Sequence, residues 1–309
     1  MSRPKKISIV SKGTVYQDGQ VQALSSLLYD TLNEVVLNAC LDKKKAEKLF
    51  IFDDHIKYLR DDDLLILDRA YADYSVMSFM ESHGKDFLIR LPKHSLKAVN
   101  DFIKSDDVDR IIELTVREKQ KAFVSQNKLP ERLKVRLIKV KLETGGIEIL
   151  TTRLLDDQVW KTEDFKDLSF LRWGIETYFD RLKNIYEVER FSGKSLLTIE
   201  QDFYGMIVLS NLESILNKEA DSEIKDRCQE VGRWYEYGVN HSVCYSAFLD
   251  CVVELFLTRK RSQEIILEEL KHVFKMNPIC QRPGRKYPRN KMTYSKKESS
   301  HKRRKRISP

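Results

Sequence analysis

The stretch LLILDRAY, Leu64 to Tyr71, sets the fold class of this chain. Four consecutive apolar residues, Leu64 to Leu67, are typical of a strand buried on both faces, as in a parallel sheet covered by helices. The run ends in Asp68. Functional groups of open α/β sheets collect at the carboxyl ends of such strands. The sequence therefore predicts an α/β fold with Asp68 as a candidate site residue.

The segments around this run have the periodicities of the same fold. We predict two strands joined by a turn within Val21 to Leu41, helices over Lys43 to Leu59 and Ala72 to Ser82, and a strand over Phe87 to Leu91. From residue 92 to 165 the runs are short and β-rich, which predicts an inserted antiparallel region. Helices are predicted again towards the C-terminus, over Leu196 to Leu216, Val243 to Leu257 and Gln263 to Phe274.

The predicted insertion carries three cations, Arg136, Lys139 and Lys141, along one strand. This basic edge could face nucleic acid. It could equally protect an edge strand from aggregation, and the sequence favours neither interpretation.

A second informative stretch is FLRWGIETYFDRLK, Phe170 to Lys183. On a helix, Arg172, Glu176 and Lys183 fall within roughly 40° of one another. An adjoining apolar stripe predicts that this helix docks against a core, and it consists of Leu168, Leu171, Ile175, Tyr178, Leu182 and Ile185. The charges are also typical of an exposed helix with ion pairs worth about 0.3–0.5 kcal/mol each. A second carboxylate beside Glu176, such as that of Asp68, would favour a functional site.

Carboxylates that converge from separate elements can bind Mg²⁺, and such ions catalyse phosphodiester chemistry. Asp68 and Glu176 are therefore candidate metal ligands. The prediction is geometric: the end of the LLILD strand and the charged helix must lie close together.

Composition excludes several classes of protein. The chain has 309 residues, 41% of them hydrophobic and 33% charged, as in a soluble globular protein. No run approaches the roughly 18 apolar residues of a spanning helix, and the N-terminus lacks the apolar part of a secretory signal. We expect a cytoplasmic protein without membrane contact. The five cysteines form no C-x-x-C pair and the six histidines are scattered, which argues against disulfides and zinc.

The C-terminal segment, residues 281–309, is strongly basic. It holds twelve Lys or Arg and one Glu, a net charge of +11, whereas the rest of the chain sums to −3. With few large aliphatic residues, it is predicted to be a disordered tail attracted to polyanions, nucleic acid first among them. A generic solubilising tail is the alternative.

Taken together, these motifs resemble the Asp-Asp-Glu insertion-sequence transposases of the insertion-sequence-four group, which have an RNase H-like core. The signature helix of that family reads Tyr, two residues, Arg, three residues, Glu, six residues, Lys, and Arg172, Glu176 and Lys183 match its spacing. LLILDRAY is similar to the segment that carries the second catalytic aspartate. The resemblance runs from about Val21 to Leu216.

The resemblance implies a DNA transposase that cleaves transposon ends and transfers strands with Mg²⁺ or Mn²⁺. It implies that Asp68 and Glu176 are the catalytic metal ligands and that Arg172 and Lys183 bind DNA. It also implies a homodimer in complex with DNA, associated with the bacterial nucleoid when bound.

The chain departs from the family in three places. Ser169 stands where the family usually has Tyr, and Ala70 replaces the usual Gly after Asp-Arg. The family's first aspartate, usually in Asp-Gly-Ser on a central strand, has no clear counterpart. Asp18 lies in a predicted turn, and Lys6 to Val10 could form a strand but carries no carboxylate. We therefore expect an N-terminally truncated core that lacks its first strand.

Two other functions remain open. One is a catalytically inactive DNA-binding remnant of such a transposase, and the other is a soluble α/β protein with a basic tail. We expect an RNase H-like core in two parts, residues 1–91 and residues 166–217, and the second part contains the catalytic helix. A β-rich insertion, 92–165, separates the two parts. A C-terminal helical region, 218–280, and a disordered basic tail, 281–309, follow the core.

Overall fold

The computed structural model describes residues 6–12, 24–42, 47–92, 97–142, 145–193, 195–232, 234–257 and 261–281, with the backbone alone at 6–12, 47 and 97. Asp18 and almost all of the basic tail lie outside these ranges. The chain divides into two compact units, Met1–Phe179 and Asp180–Pro309.

The first unit is a mixed α/β structure. Its described strands are β1 (Lys6–Lys12), β2 (Leu24–Asp30), β3 (Val35–Asp42), β4 (Asp63–Leu67), β5 (Asp86–Leu91), β6 (Asp109–Thr115), β7 (Arg132–Lys141) and β8 (Ile147–Thr152). Its described helices are α1 (Glu47–Asp53), α2 (Tyr74–Ser82), α3 (Lys97–Lys104), α4 (Glu118–Gln126), α5 (Asp164–Phe170) and α6 (Trp173–Asn184), the last of which ends in the second unit.

The described strands form one sheet in the order β3-β2-β1-β4-β5-β8-β7-β6. Strands β1, β4 and β5 are parallel, and β2 is antiparallel to both of its neighbours. The first five strands have the order of an RNase H-like core, so the predicted fold class is confirmed. The strands predicted around Asp30 to Asn33, at Leu64 to Leu67 and at Phe87 to Leu91 are confirmed as well.

The expectation that the first strand is missing is wrong. Strand β1 lies between β2 and β4, in the middle of the five-stranded part. Its sequence, KISIVSK, is rich in β-branched residues that favour a strand, and it has neighbours on both edges to satisfy its backbone. The sequence of β1 contains no Asp or Glu.

The β-rich segment extends the same sheet, because β8 pairs antiparallel with β5 and β7 pairs with β8. The interpretation of its cations as an exposed basic edge is wrong for Arg136, which is 1% exposed and bound to Asp109 at 2.9 Å. Lys139 donates to the Ser105 carbonyl oxygen at 2.8 Å. Lys141 is exposed. The burial of Arg136 depends on an acid 27 residues away, which the sequence pattern does not reveal.

The two faces of the sheet are covered by different helices. Leu65 and Leu67 belong to a buried cluster that includes residues of α2. Ile66 and Tyr29 lie in one cross-strand row through β1, and therefore on the opposite face. There, Tyr178 of α6 stacks on Tyr29 with ring centroids 4.7 Å apart. Helix α6 thus covers the face to which Ile66 points.

The helix predicted over Lys43 to Leu59 is shorter than expected. Within the described residues, α1 ends at Asp53 and a 3₁₀ turn, His55–Tyr58, follows. The ring of His55 is fully buried and lies 2.9 Å from the Ser26 hydroxyl and 3.1 Å from the Asn38 amide. These contacts with β2 and β3 favour the tighter turn.

The second unit is mainly helical in its described part. It contains α7 (Leu196–Glu230), α8 (His241–Leu257) and α9 (Gln263–Met276), with a two-stranded sheet of β9 (Glu236–Gly238) and β10 (Ile279–Gln281). A buried cluster that includes Phe248, Leu270 and Phe274 joins the three helices. The predicted helices are confirmed, although α7 runs further than Leu216. No helix in the described ranges is long and apolar enough to cross a bilayer.

Candidate functional site

The signature segment is not one continuous helix. Helix α5 ends at Phe170 and α6 begins at Trp173, so Arg172 lies in the turn before α6. The carbonyl oxygen of Leu171 accepts a hydrogen bond from Gly174 N–H at 3.0 Å and another from the Thr31 hydroxyl at 3.3 Å. These bonds close a tight turn at Leu171, which corrects the prediction of a single helix over Phe170 to Lys183.

Arg172 and Glu176 form a pair. The guanidinium of Arg172 donates to the carboxylate of Glu176 and lies 5.0 Å from the centre of the Trp173 ring. Arg172 is buried, whereas the side chain of Glu176 is 40% exposed. Lys183 lies near the end of α6, and its ammonium nitrogen is 3.6 Å from a carboxylate oxygen of Glu189; both residues belong to the second unit. Arg172, Glu176 and Lys183 therefore do not form the exposed charged stripe of the sequence prediction: Arg172 pairs with Glu176, and Lys183 has a different partner.

Gly174 allows α6 to approach the turn between β2 and β3. A Cβ at this position would lie 2.3 Å from the Thr31 hydroxyl oxygen. We expect Gly174→Ala to destabilise the protein by about 1–3 kcal/mol, because the helix and the turn must separate. Urea unfolding measures the effect. The cost should fall below about 1 kcal/mol in a Thr31→Ala background, where the clashing oxygen is gone; an equal cost in both backgrounds would contradict this packing.

Asp68 lies directly after β4 and on the face covered by α6. Its backbone is extended, with φ −77° and ψ 169°, so the strand alternation continues from Ile66 to Asp68. A small cavity of about 10 Å³ is lined by Ile66 and Leu67 of β4 and by Ser169 and Arg172. The structure thus brings Arg172, the partner of Glu176, against the strand that ends in Asp68.

Two departures from the family pattern can be placed in the structure. Ser169 lines this cavity, and its hydroxyl donates to the Lys166 carbonyl oxygen at 2.9 Å. Ala70 is not among the residues with positive φ, so alanine is accommodated there without backbone strain.

The carboxylate of Asp68 is incompletely satisfied. It precedes a 3₁₀ turn but makes no capping hydrogen bond, whereas Asp73 accepts one from Ser75 N–H at 2.9 Å at the start of α2. Its Oδ1 atom is buried and has no hydrogen-bond partner among the described residues. Leaving a buried acceptor unsatisfied costs about 1–3 kcal/mol. Such an oxygen is suited to a cation that takes oxygen ligands.

We therefore expect Asp68→Asn to raise the stability of the isolated protein by about 1 kcal/mol, or roughly 2 °C in melting temperature, because it replaces a carboxylate whose buried Oδ1 atom has no hydrogen-bond donor among the described residues. Added Mg²⁺ should stabilise the native chain more than the variant. Thermal melts with and without Mg²⁺ measure both effects. Asp62→Asn, at an exposed residue one position before β4, is the control and should change little. A loss of stability in Asp68→Asn would show that its carboxylate has a structural partner.

The sheet register identifies the neighbours of Asp68. Leu67 pairs with Ile89 of β5 and with Val10 of β1, so the next positions are Arg90 and Ser11. Arg90 lines the same cavity as Arg172 and is bound to Glu148 at 2.8 Å. Sequence analysis missed Arg90, because the register of two parallel strands cannot be read from their hydrophobic pattern. The position of Arg90 near the end of β5, the strand that follows β4 along the chain, was the sequence feature that could have indicated it.

The residues present fit a magnesium ion held by few protein ligands. Within the described ranges there is no group of three or more His, Cys, Asp or Glu residues that could bind a metal. Mg²⁺ commonly binds through one or two carboxylates, several waters and a substrate phosphate. Asp68, with its unsatisfied oxygen, and Glu176, partly exposed, each carry a carboxylate of the kind that such an ion binds.

Comparison with known proteins gives one family. The sequence model described as "Transposase DDE domain" matches residues 22–212, which include Asp68, Arg172, Glu176 and Lys183. No curated protein matches the sequence. Among solved structures, piggyBac transposase in a synaptic complex with hairpin DNA has a TM-score of 0.42 and 9% identity, covering 88% of this chain and 52% of that one. The chain thus spans about half the length of that protein.

Proposed function

Because the chain belongs to the family of the transposase DDE domain, we propose that it is an insertion-sequence transposase that cleaves DNA at transposon ends and transfers the strands. One observation supports the proposal most. The Arg172–Glu176 pair lies against the strand whose end carries Asp68, a half-buried residue with one buried, unsatisfied carboxylate oxygen.

In this proposal Asp68 and Glu176 hold Mg²⁺ or Mn²⁺. The ion would supply activation of the attacking oxygen and stabilisation of charge on the phosphodiester. Arg172 orients Glu176 through their hydrogen bond. Arg172, Lys183 and Arg90 position DNA phosphates through charge-assisted hydrogen bonds.

The proposed partners are DNA and a second copy of the chain. Basic residues of segment 281–309 would add salt-dependent, sequence-independent attraction to DNA. With these partners, the expected location of the protein is the cytoplasm, in association with the nucleoid when the chain is bound to DNA.

A second candidate function, a catalytically inactive DNA-binding remnant, is favoured by strand β1. This strand runs beside β4, yet its sequence contains no acidic residue, and Ser11 stands at the register position beside Asp68. A site with two carboxylates binds a metal more weakly than one with three.

Incubation of the purified chain with DNA that carries the ends of the element separates the two functions. The transposase nicks this DNA in Mg²⁺ or Mn²⁺ and leaves it intact in EDTA. The remnant retards the DNA on a gel, with or without metal, and does not nick it. A chain that neither binds nor nicks such DNA would contradict both.

A further inference from the structure

Helix α7 carries large apolar side chains that face solvent. The exposed fractions are 64% for Leu197, 41% for Tyr204, 57% for Val208 and 57% for Ile215. At about 100° per residue, these four lie within roughly 20° of one direction and form a straight stripe about 27 Å long. We call them the α7 stripe. Exposed apolar patches of this kind mark interaction sites.

The α7 stripe is symmetric along the helix. Leu197 and Ile215 each lie nine residues from Met206, and Tyr204 and Val208 each lie two residues from it. In an antiparallel pair of identical helices, contacting residues are equally distant from the crossing point. The Met206 side chain itself is buried, on the side of α7 opposite to the stripe. If the stripes of two copies of α7 cross at the level of Met206 along the helix, Leu197 meets Ile215 of the other copy and Tyr204 meets Val208. The stripe is therefore complementary to itself, as a twofold interface requires.

The residues between these positions fit the same arrangement. Gln201 and Asn211 each lie five residues from Met206, so two polar amides face each other between the apolar contacts. None of the six side chains that pair is charged, so the pairing brings no like charges together.

Gly205 adjoins the stripe beside the crossing point. A Cβ there would meet nothing within 4 Å, so the packing of the described chain does not require glycine. A glycine inside a helix costs roughly 1 kcal/mol relative to alanine.

We propose that the chain dimerises by antiparallel packing of α7 against α7 of a second copy, across a twofold axis that passes between the two stripes at the level of Met206 along the helix. The self-complementary spacing identifies the partner as this same chain. A single helix pair buries an area at the lower end of specific interfaces, about 1,000 Å² or less, so the dimer dissociates in the micromolar range. The pairing depends on α7 alone and holds whether or not the chain cleaves DNA.

Sedimentation equilibrium of the full chain between about 1 and 100 μM tests the dimer. About 0.5 M salt excludes association bridged by nucleic acid. The native chain should be dimeric at the upper concentrations, and Val208→Asp should weaken dimerisation at least tenfold, because it places two carboxylates in the contact. Val253→Asp, at an equally exposed valine of α8, is the control and should dimerise normally. Circular dichroism melts confirm that both variants fold. A native chain that stays monomeric, or a dimer that Val208→Asp leaves intact, would overturn the proposal.

Disulfide cross-linking tests the antiparallel register. An equimolar mixture of the Leu197→Cys and Ile215→Cys proteins should form a cross-linked dimer under mild oxidation. Neither variant alone should cross-link more than the native chain, because equivalent positions lie about 27 Å apart in this pair. Efficient cross-linking of either single variant would indicate a parallel pair and overturn the arrangement.

Discussion

Glu176→Gln is expected to abolish metal-dependent nicking of DNA that carries the transposon ends. Glutamine keeps the size of the side chain but loses the negative charge that would bind Mg²⁺ and pair with Arg172. Loss of a carboxylate that holds the catalytic ion reduces the rate by about 10³-fold or more. Gel assays of plasmid nicking, with the initial rate measured at saturating Mg²⁺, give this ratio.

DNA binding provides the internal comparison for this variant. Gel retardation by Glu176→Gln should be at least as strong as that of the native chain in EDTA, because the substitution removes a negative charge near the DNA. Glu163→Gln, at an exposed glutamate before α5 whose side chain makes no cap, is the matched control and should nick normally. Nicking by Glu176→Gln within tenfold of the native rate would exclude Glu176 as a metal ligand.

Arg136→Met is expected to lower the free energy of unfolding of the sheet by about 3–5 kcal/mol. The guanidinium is 1% exposed, binds the Asp109 carboxylate through two nitrogens and donates to the Trp160 carbonyl oxygen at 2.8 Å. It also lies 5.2 Å from the centre of the Phe165 ring. Methionine fills much of the volume but leaves Asp109 with only the Thr162 hydroxyl as a side-chain donor and removes the donor to the Trp160 carbonyl oxygen. Urea unfolding followed by circular dichroism measures the loss.

The control for this variant is Arg132→Met on the same strand. Arg132 is 76% exposed at its side chain and pairs with Glu113 at 3.5 Å, so its loss should cost less than about 1 kcal/mol. Equal destabilisation by the two substitutions would show that the buried pair contributes nothing specific.

The Arg136 pair also predicts a pH dependence. Burial alone would raise the pKa of Asp109, but hydrogen bonds from Arg136 and Thr162 outweigh it, and the pKa is lowered. A carboxyl whose folded pKa is lowered contributes stability that is complete above its unfolded pKa of about 3.9 and is lost as pH falls through the folded value. The difference in stability between the native chain and Arg136→Met should therefore shrink as the pH falls below about 4.

Local sequence patterns predicted the elements whose structure depends on local residues. The run Leu64 to Leu67 is apolar throughout, and it forms β4, buried on both faces. The helices predicted towards the C-terminus are likewise found, as α7 to α9. In these segments burial and periodicity lead to the same structure, so the prediction needs no knowledge of tertiary contacts.

Features that depend on distant residues were not predictable in this way. The break at Leu171 depends on the hydroxyl of Thr31, 140 residues away. Arg136 looks like a surface cation until Asp109 is known to lie beside it. The place of Arg90 beside Asp68 follows from a parallel register, and β1 was discounted because it lacks an acid, although strand formation requires none.

The central position of β1 has a consequence for biosynthesis. Strands β2 and β3 follow directly and can close as a hairpin within microseconds once they leave the ribosome. One edge of β1 must wait for β4, which begins about fifty residues after β1 ends, and this non-local pairing is the slow step of such sheets. During translation the nascent chain therefore exposes an unpaired strand edge, and its protection by chaperones in that interval would affect the yield of folded protein.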